Sequence, residues 1–128
     1  MRQRKLGWTD LELSTVGLGT WAMGGGEYRF GWGAQEDTES IDTIERALDL
    51  GINWIDTAPI YGLGRSELVV GAALKQSVHD PIVATKCGLA WDDEGRIINR
   101  LTRESVLEEV DASLRRLGRE VIDLYQVH

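Results

Sequence analysis

The sequence predicts an α/β fold built on a parallel sheet. Three helical patterns alternate with short apolar runs, which is the rhythm of βαβ units, and each pattern is bounded by its own start and stop residues. At 128 residues and 42% hydrophobic content, the chain is long enough for one small domain with a core, and ordinary in composition for a soluble globular protein.

Taken in order, residues 4–13 read as a short hairpin, with Gly7 to Asp10 as the turn and apolar residues on either side, placed to plug one end of a core. Residues 14–21 form the first predicted strand, and the Gly-rich, Trp-containing stretch 22–35 a loop. A helix follows over about 38–50, with Asp37 as N-cap, Ile41, Ile44 and Leu48 on one face, and Gly51 just past its end. The second strand covers 53–57. The second helix covers about 65–75 and turns Leu68, Val69, Ala72 and Ala73 toward the core, after which Pro81 resets the chain before a third strand at 82–86. A loop rich in charge and glycine spans 88–101. The third helix has Thr102 as N-cap and Val106, Val110, Leu114 and Leu117 on its inner face; it stops at Gly118, and a fourth strand runs over 121–128. The run EEVDASLRRLGRE reads as the solvated side of that helix.

Charge and cysteine content narrow the function classes. Lys and Arg total 14 against 21 Asp and Glu, a net charge of −7, which argues against a general nucleic-acid or acidic-membrane surface. No apolar run approaches the roughly 18 residues of a membrane span, and the basic start MRQRK leads into polar residues, so a cytoplasmic protein without a signal peptide is expected. Cys87 is the single cysteine and has no internal disulfide partner; a small buried or loop thiol without a redox role is the expectation. His79 and His128 are too far apart for a local ligand pair, no Cys/His cluster has zinc spacing, and no metal is predicted. His79, in SVHDP, reads as a solvated loop residue.

Side-chain parity adds the decisive step. Residues two apart on a strand share a face, which groups Ile52, Trp54 and Asp56; Ile82, Ala84 and Lys86; and Ile122, Leu124, Gln126 and His128. Each face ends in an ionisable group at the carboxyl end of its strand, where parallel α/β folds hold their ligand sites. Tyr61 joins them from the turn after the second strand. A free phenol has a pKa of about 10 and is a poor acid near neutrality, but an ammonium alongside favours the phenolate, and a carboxylate keeps that ammonium charged and aimed. An imidazole could hydrogen-bond the same carbonyl oxygen. The set lacks an electron source, which suggests reduction with a bound hydride donor.

The segments VGLGTW (16–21), GINWIDTAPIYGLGRSE (51–67), ATK (84–86) and SLRRLGREVIDLYQVH (113–128) together resemble the N-terminal half of an aldo-keto reductase, in order and over essentially the whole chain. The resemblance implies a (β/α)8 barrel, of which the chain carries the hairpin and the first four strands. It implies an NADP(H)-dependent oxidoreductase acting on small carbonyl or alcohol substrates, with the tetrad Asp56, Tyr61, Lys86 and His128 and Tyr61 as the acid. It places Gly19, Thr20 and Trp21 beside the nicotinamide, with Asp56 also among the cofactor contacts. Tyr28, Phe30, Trp32 and Trp91, with Trp21, resemble residues that shape the substrate pocket. The stretch GWGAQEDTESIDTIERALDLGINWIDTAPIYG is closer to the bacterial, general-stress-type branch than to the mammalian aldose reductases.

Such a barrel typically needs about 250 residues, so residues 1–128 are expected to be its N-terminal half, with the grip on the pyrophosphate and the adenosine 2′-phosphate lying in the other. The sequence is then a fragment of a longer protein or a truncated product that needs a partner, inactive alone and open to self-association at its first and fourth strands. A nicotinamide-binding regulatory subunit, similar to the aldo-keto-reductase-fold partners of potassium channels, is the alternative to an enzyme. Gly17-Leu-Gly-Thr-Trp-Ala22 matches the pattern G-x-G-x-x-G/A, but no helix opens on these glycines to meet a pyrophosphate, so a Rossmann site is not expected. Singly, Asp56 would pass for a strand-end hydrogen bond and Lys86 for a surface residue; together with Tyr61 and His128 they point to a site.

Overall fold

In a computed structural model, which describes residues 1–26 and 30–128, the chain opens with an antiparallel hairpin of β1 (Gln3–Lys5) and β2 (Glu12–Ser14). Then come β3 (Leu18–Gly19), a 3-10 turn at Trp21–Gly24, α1 (Asp37–Asp49), β4 (Trp54–Asp56), α2 (Arg65–Gln76) and β5 (Ile82–Cys87). A second hairpin, β6 (Leu89–Trp91) and β7 (Ile97–Asn99), precedes α3 (Arg103–Leu117) and β8 (Leu124–Val127). The central sheet is parallel throughout, in the order β3-β4-β5-β8. Its register sets Gly19, Asp56, Ala84 and Leu124 side by side, with Lys86 and Gln126 one step nearer the carboxyl ends.

The helices pack on the face carrying Ile55 and Val83, both fully buried against Ile44 and Leu48 of α1, Val69, Val70 and Ala73 of α2, and Leu117 of α3. Parity therefore divides β4, β5 and β8 into a helix-covered side of odd-numbered residues and a second side that carries Trp54, Asp56 and Lys86, while β3 runs in the opposite parity, with Leu18 beside Ile55 and Gly19 beside Asp56. At the amino end of β4, Asn53 ties the first hairpin down: its side-chain oxygen accepts from the Ser14 amide at 2.7 Å and its amide group donates to the Glu12 carbonyl at 2.8 Å. Trp54 Nε1 donates to the Ser14 carbonyl at 3.0 Å, and the Trp54 ring lies so close over Gly17 that a β-carbon there would overlap it. The hairpin thus plugs the end of the sheet opposite Asp56. Thr102 caps α3 as expected, its hydroxyl accepting from the Ser105 amide at 3.1 Å.

Several elements differ from the sequence reading. The predicted strand at 14–21 is broken: Ser14 belongs to the hairpin, only Leu18–Gly19 pairs in the sheet, and Trp21 enters the 3-10 turn. The break follows from Ser14, whose hydroxyl donates to the Val16 carbonyl and turns the chain. Glu36, not Asp37, holds the N-cap position of α1, without a side-chain cap bond, because the Asp37 carboxylate pairs with Arg65 at 2.7 Å. On α2 the inner face is Val69, Val70 and Ala73, while Leu68 and Ala72 are exposed. That face is completed by Ser66 and Glu67, both fully buried, and a search for apolar residues alone rotates it the wrong way. The predicted loop at 88–101 contains the β6–β7 hairpin, and the last strand is shortened to Leu124–Val127. Arg116 and Glu109 of α3 turn inward, to Glu67 at 2.6 Å and to the Gly88 amide at 2.9 Å. His79 is not simply solvated but meets Asp49 at 3.0 Å.

The turn from β4 into α2 is the tightest place in the fold. Gly62, Leu63 and Gly64 all have left-handed φ, at 65°, 51° and 97°, and the Gly62 backbone presses on the Gly24 backbone of the 3-10 turn. Gly62→Ala would add a β-carbon overlapping the Gly24 carbonyl as well as the strain of that φ. Its expected cost exceeds the about 1–3 kcal/mol of backbone strain alone. Gly7→Ala, at φ 53° with open space around it, is expected to cost only the strain; urea midpoints of the two variants against the parent check the difference.

Candidate active site

Asp56 closes β4, Lys86 is the fifth residue of β5, and His128 follows β8, its amide donating to the Cys87 carbonyl at 2.9 Å. Parallel pairing brings all three to one rim. Tyr61 reaches it from a turn closed by the Tyr61 amide on the Ala58 carbonyl at 3.1 Å. Lys86 Nζ is the hub: it donates to Asp56 Oδ1 at 3.0 Å and Oδ2 at 2.9 Å, to the Thr57 carbonyl at 2.8 Å, and lies 3.3 Å from Tyr61 Oη. Its side chain is only 12% exposed, which strengthens each of these contacts relative to water. The Tyr61 and His128 rings meet edge to face at 5.8 Å.

Electrostatically the rim is asymmetric. Burial first, then the charge of Lys86, holds the His128 imidazole below its ordinary range, with Asp56 acting the other way. His128 is therefore a neutral imidazole at neutral pH, able to donate one hydrogen bond without adding charge. The arrangement supplies a phenol that can lose a proton next to a cation, and a neutral donor beside it.

The other predicted residues are placed as follows. Gly19 lies beside Asp56 on the same side of the sheet, and a β-carbon on it would meet nothing within 4 Å. Thr20 is fully buried and its hydroxyl donates to the Asp56 carbonyl at 3.2 Å, so its side chain serves the interior rather than the open rim. Trp21 is half-exposed and tilts against Trp32 at 6.1 Å between ring centroids. Phe30 lines an open groove with Gly62, Leu63 and Arg65. Trp91 sits beside α3, with the Arg116 guanidinium 5.9 Å from its ring centroid. Tyr28 falls outside the described residues. Among the described residues, no group of His, Cys, Asp or Glu is arranged to hold a metal ion, and no helix is long and apolar enough to cross a membrane.

Sequence reasoning missed a buried polar layer directly behind the rim. The Ser66 hydroxyl lies 2.9 Å from the Thr20 carbonyl, 2.8 Å from Thr20 Oγ1 and 3.1 Å from Thr57 Oγ1. Glu67 Oε1 accepts from the Thr85 hydroxyl at 2.6 Å, and Oε2 from Arg116 Nε. For Thr57 and Thr85 the available signal was threonine at odd parity, on the helix-facing side of β5 and of the continuation of β4; Thr20, past the end of β3, carried none.

A nuclear magnetic resonance titration is expected to place the His128 midpoint below about 6.5. Because the folded form takes up this proton less readily than the unfolded chain, stability is expected to fall as pH drops from about 6.5 toward that lower midpoint. Lys86→Met removes the repelling cation and should move the His128 midpoint upward.

A model of the aldo/keto reductase family matches residues 15–128. The NADH-specific methylglyoxal reductase of Escherichia coli strain K12 is 46% identical, over 100% of this chain and 42% of its own. The aldo-keto reductase YhdN of Bacillus subtilis strain 168 is 47% identical, over 94% of this chain and 35% of its own. Among solved structures, the glycerol dehydrogenase AKR11B4 from Gluconobacter oxydans matches with a TM-score of 0.86 and 44% identity, covering 98% of this chain and 38% of that one. The chain spans less than half the length of these relatives. Its hairpin, four parallel strands and three helices are part of a (β/α)8 barrel, and the chain belongs to the aldo/keto reductase family.

Proposed function

We propose that the protein carrying this sequence reduces small aldehydes or ketones to alcohols, with a nicotinamide dinucleotide as hydride donor and Tyr61 as proton donor. The observation that carries the reading is the Lys86 ammonium held between the Asp56 carboxylate and the Tyr61 hydroxyl. The cofactor fits what lies on the rim: the bare backbone at Gly19 leaves room for a flat ring beside Asp56, and Trp21 stands half-exposed in the 3-10 turn that follows. Bound nicotinamide would supply a hydride to the carbonyl carbon. Tyr61 then gives its proton to the carbonyl oxygen, and Lys86 stabilises the phenolate left behind. His128, neutral, holds the carbonyl oxygen toward Tyr61. Asp56 keeps Lys86 charged and in place.

The family resemblance favours NADP(H), whereas the E. coli relative's name specifies NADH, so the assay uses both. The proposed setting is the cytoplasm, with a small-molecule carbonyl such as methylglyoxal as a starting substrate.

The full-length protein is expected to oxidise NADPH or NADH in the presence of an aldehyde panel. Tyr61→Phe should lower kcat by about 10²- to 10⁴-fold while cofactor binding is retained. Saturable cofactor binding with no turnover across the panel would sink the enzyme reading and indicate a nicotinamide-binding regulatory subunit.

A further inference from the structure

Two consecutive residues at the start of α2 are linked to the backbone around Asp56, Tyr61 and Lys86. The Ser66 amide donates to the Tyr61 carbonyl at 3.1 Å. The Ser66 hydroxyl meets Thr57, whose carbonyl is itself a partner of the Lys86 ammonium at 2.8 Å, and Thr20, whose hydroxyl donates to the Asp56 carbonyl. Glu67 holds Thr85, the residue before Lys86, while its other oxygen is fixed by Arg116 of α3. Ser66, Glu67, Thr20, Thr57 and Thr85 are all fully buried. Nothing in this layer can reach a substrate, because it lies on the helix-covered side of the sheet while Lys86 and Asp56 face the other way.

We infer that Ser66 and Glu67 are positioning residues: through Thr20, Thr57 and Thr85 they set the spacing of three strand ends, and so the distance from Lys86 Nζ to Tyr61 Oη. This deepens the functional reading above and rests on it. Geometry explains why the device sits there. Lys86 lies on β5 and Tyr61 in the turn after β4, and their 3.3 Å contact is the longest of the four around Nζ, so a small relative shift of that turn and β5 alters it first. Strand ladders fix β4 to β5 only as far as Asp56 and the Thr57 amide, which donates to the Ala84 carbonyl at 2.9 Å. Beyond that point the chains diverge, and the two hydroxyl-to-helix links take over.

Thr85→Val tests this, since it keeps the shape and removes only the hydroxyl; Thr85→Ser restores the hydroxyl, and Ser66→Ala breaks the second link independently. In full-length protein shown to be folded by circular dichroism, Thr85→Val and Ser66→Ala are expected to lower kcat by about tenfold or more with KM changed less than about twofold. The alkaline limb of the kcat–pH profile should also move, and Thr85→Ser should stay within about threefold of the parent. A merely structural role would lower the melting temperature of the valine and alanine variants but leave kcat and the pH profile unchanged, and that result overturns the inference. If the unsubstituted protein shows no turnover, the functional reading fails on its own, and the Lys86 Nζ titration in cofactor-free protein decides the positioning role. A midpoint moved by Thr85→Val and restored by Thr85→Ser supports it; a midpoint unmoved by either overturns it.

Discussion

The structure is organised around one nearly buried ammonium. Lys86 Nζ has three protons and four oxygens within reach, and its side chain is 12% exposed, so the charge is tolerable only because those oxygens are fixed. Hydrogen bonds to a charged group contribute about 1.5–3 kcal/mol each, and removing one partner leaves an uncompensated charge that costs more than the bond was worth. That requirement dictates the neighbouring strand. A carboxylate must sit one register step below the lysine on the same side of the sheet, which parallel pairing of Asp56 with Ala84 delivers. A carbonyl and a phenol must follow within five residues, which forces the chain to turn sharply. The Tyr61 amide closes that turn on the Ala58 carbonyl, and the three successive left-handed residues Gly62 to Gly64, one of them a leucine, then lead the chain into α2.

The opposite side of the sheet meets a different demand with the same strands. Thr85 within β5, and Thr20 and Thr57 just past β3 and β4, must pack under helices, yet they are threonines rather than valines. β-branched side chains suit strands in either case, but only the hydroxyl can link a strand to a helix start. Burying Glu67 to complete those links would be strongly unfavourable for a lone carboxylate. The Arg116 guanidinium, partly covered by Trp91, and the Thr85 hydroxyl satisfy both of its oxygens. The β6–β7 hairpin thus contributes to the site at second hand, by laying Trp91 over the arginine that fixes Glu67.

What could be read from the sequence follows the same division. Asp56, Lys86 and His128 were legible because strand parity is a strict two-residue period and each stands at the end of an apolar run. The polar layer was not. Ser66 and Glu67 sit in the first turn of a helix, where serine and glutamate are common for capping reasons and carry no sign of burial. Reading α2 by its apolar residues selected Leu68 and Ala72, which the structure exposes, because the true inner face is part polar. Arg116 and Glu109 were hidden for the converse reason: on a helix of mixed charge, nothing local distinguishes the two that turn inward. The strand at 14–21 failed on a single side chain, since the hydroxyl of Ser14 captured the Val16 carbonyl and bent the chain before the sheet began.

Two groups on the rim could in principle give a proton to a substrate oxygen, and the geometry separates them. A cation close to an acid favours loss of its proton when the product is an anion and opposes gain of a proton when the product is a cation. Lys86 does both at once: it lies against the Tyr61 oxygen, where it stabilises phenolate, and its charge adds to burial in disfavouring the imidazolium of His128. Near neutrality His128 is therefore seldom in the protonated form that donation from an imidazolium requires, while Tyr61 has in Lys86 a stabiliser for the phenolate that donation leaves. Under the proposed reaction the tyrosine is the acid and the histidine the orienting donor. The distinction comes from where one lysine is held, so anything that moves the end of β5 relative to the turn after β4 alters both roles together.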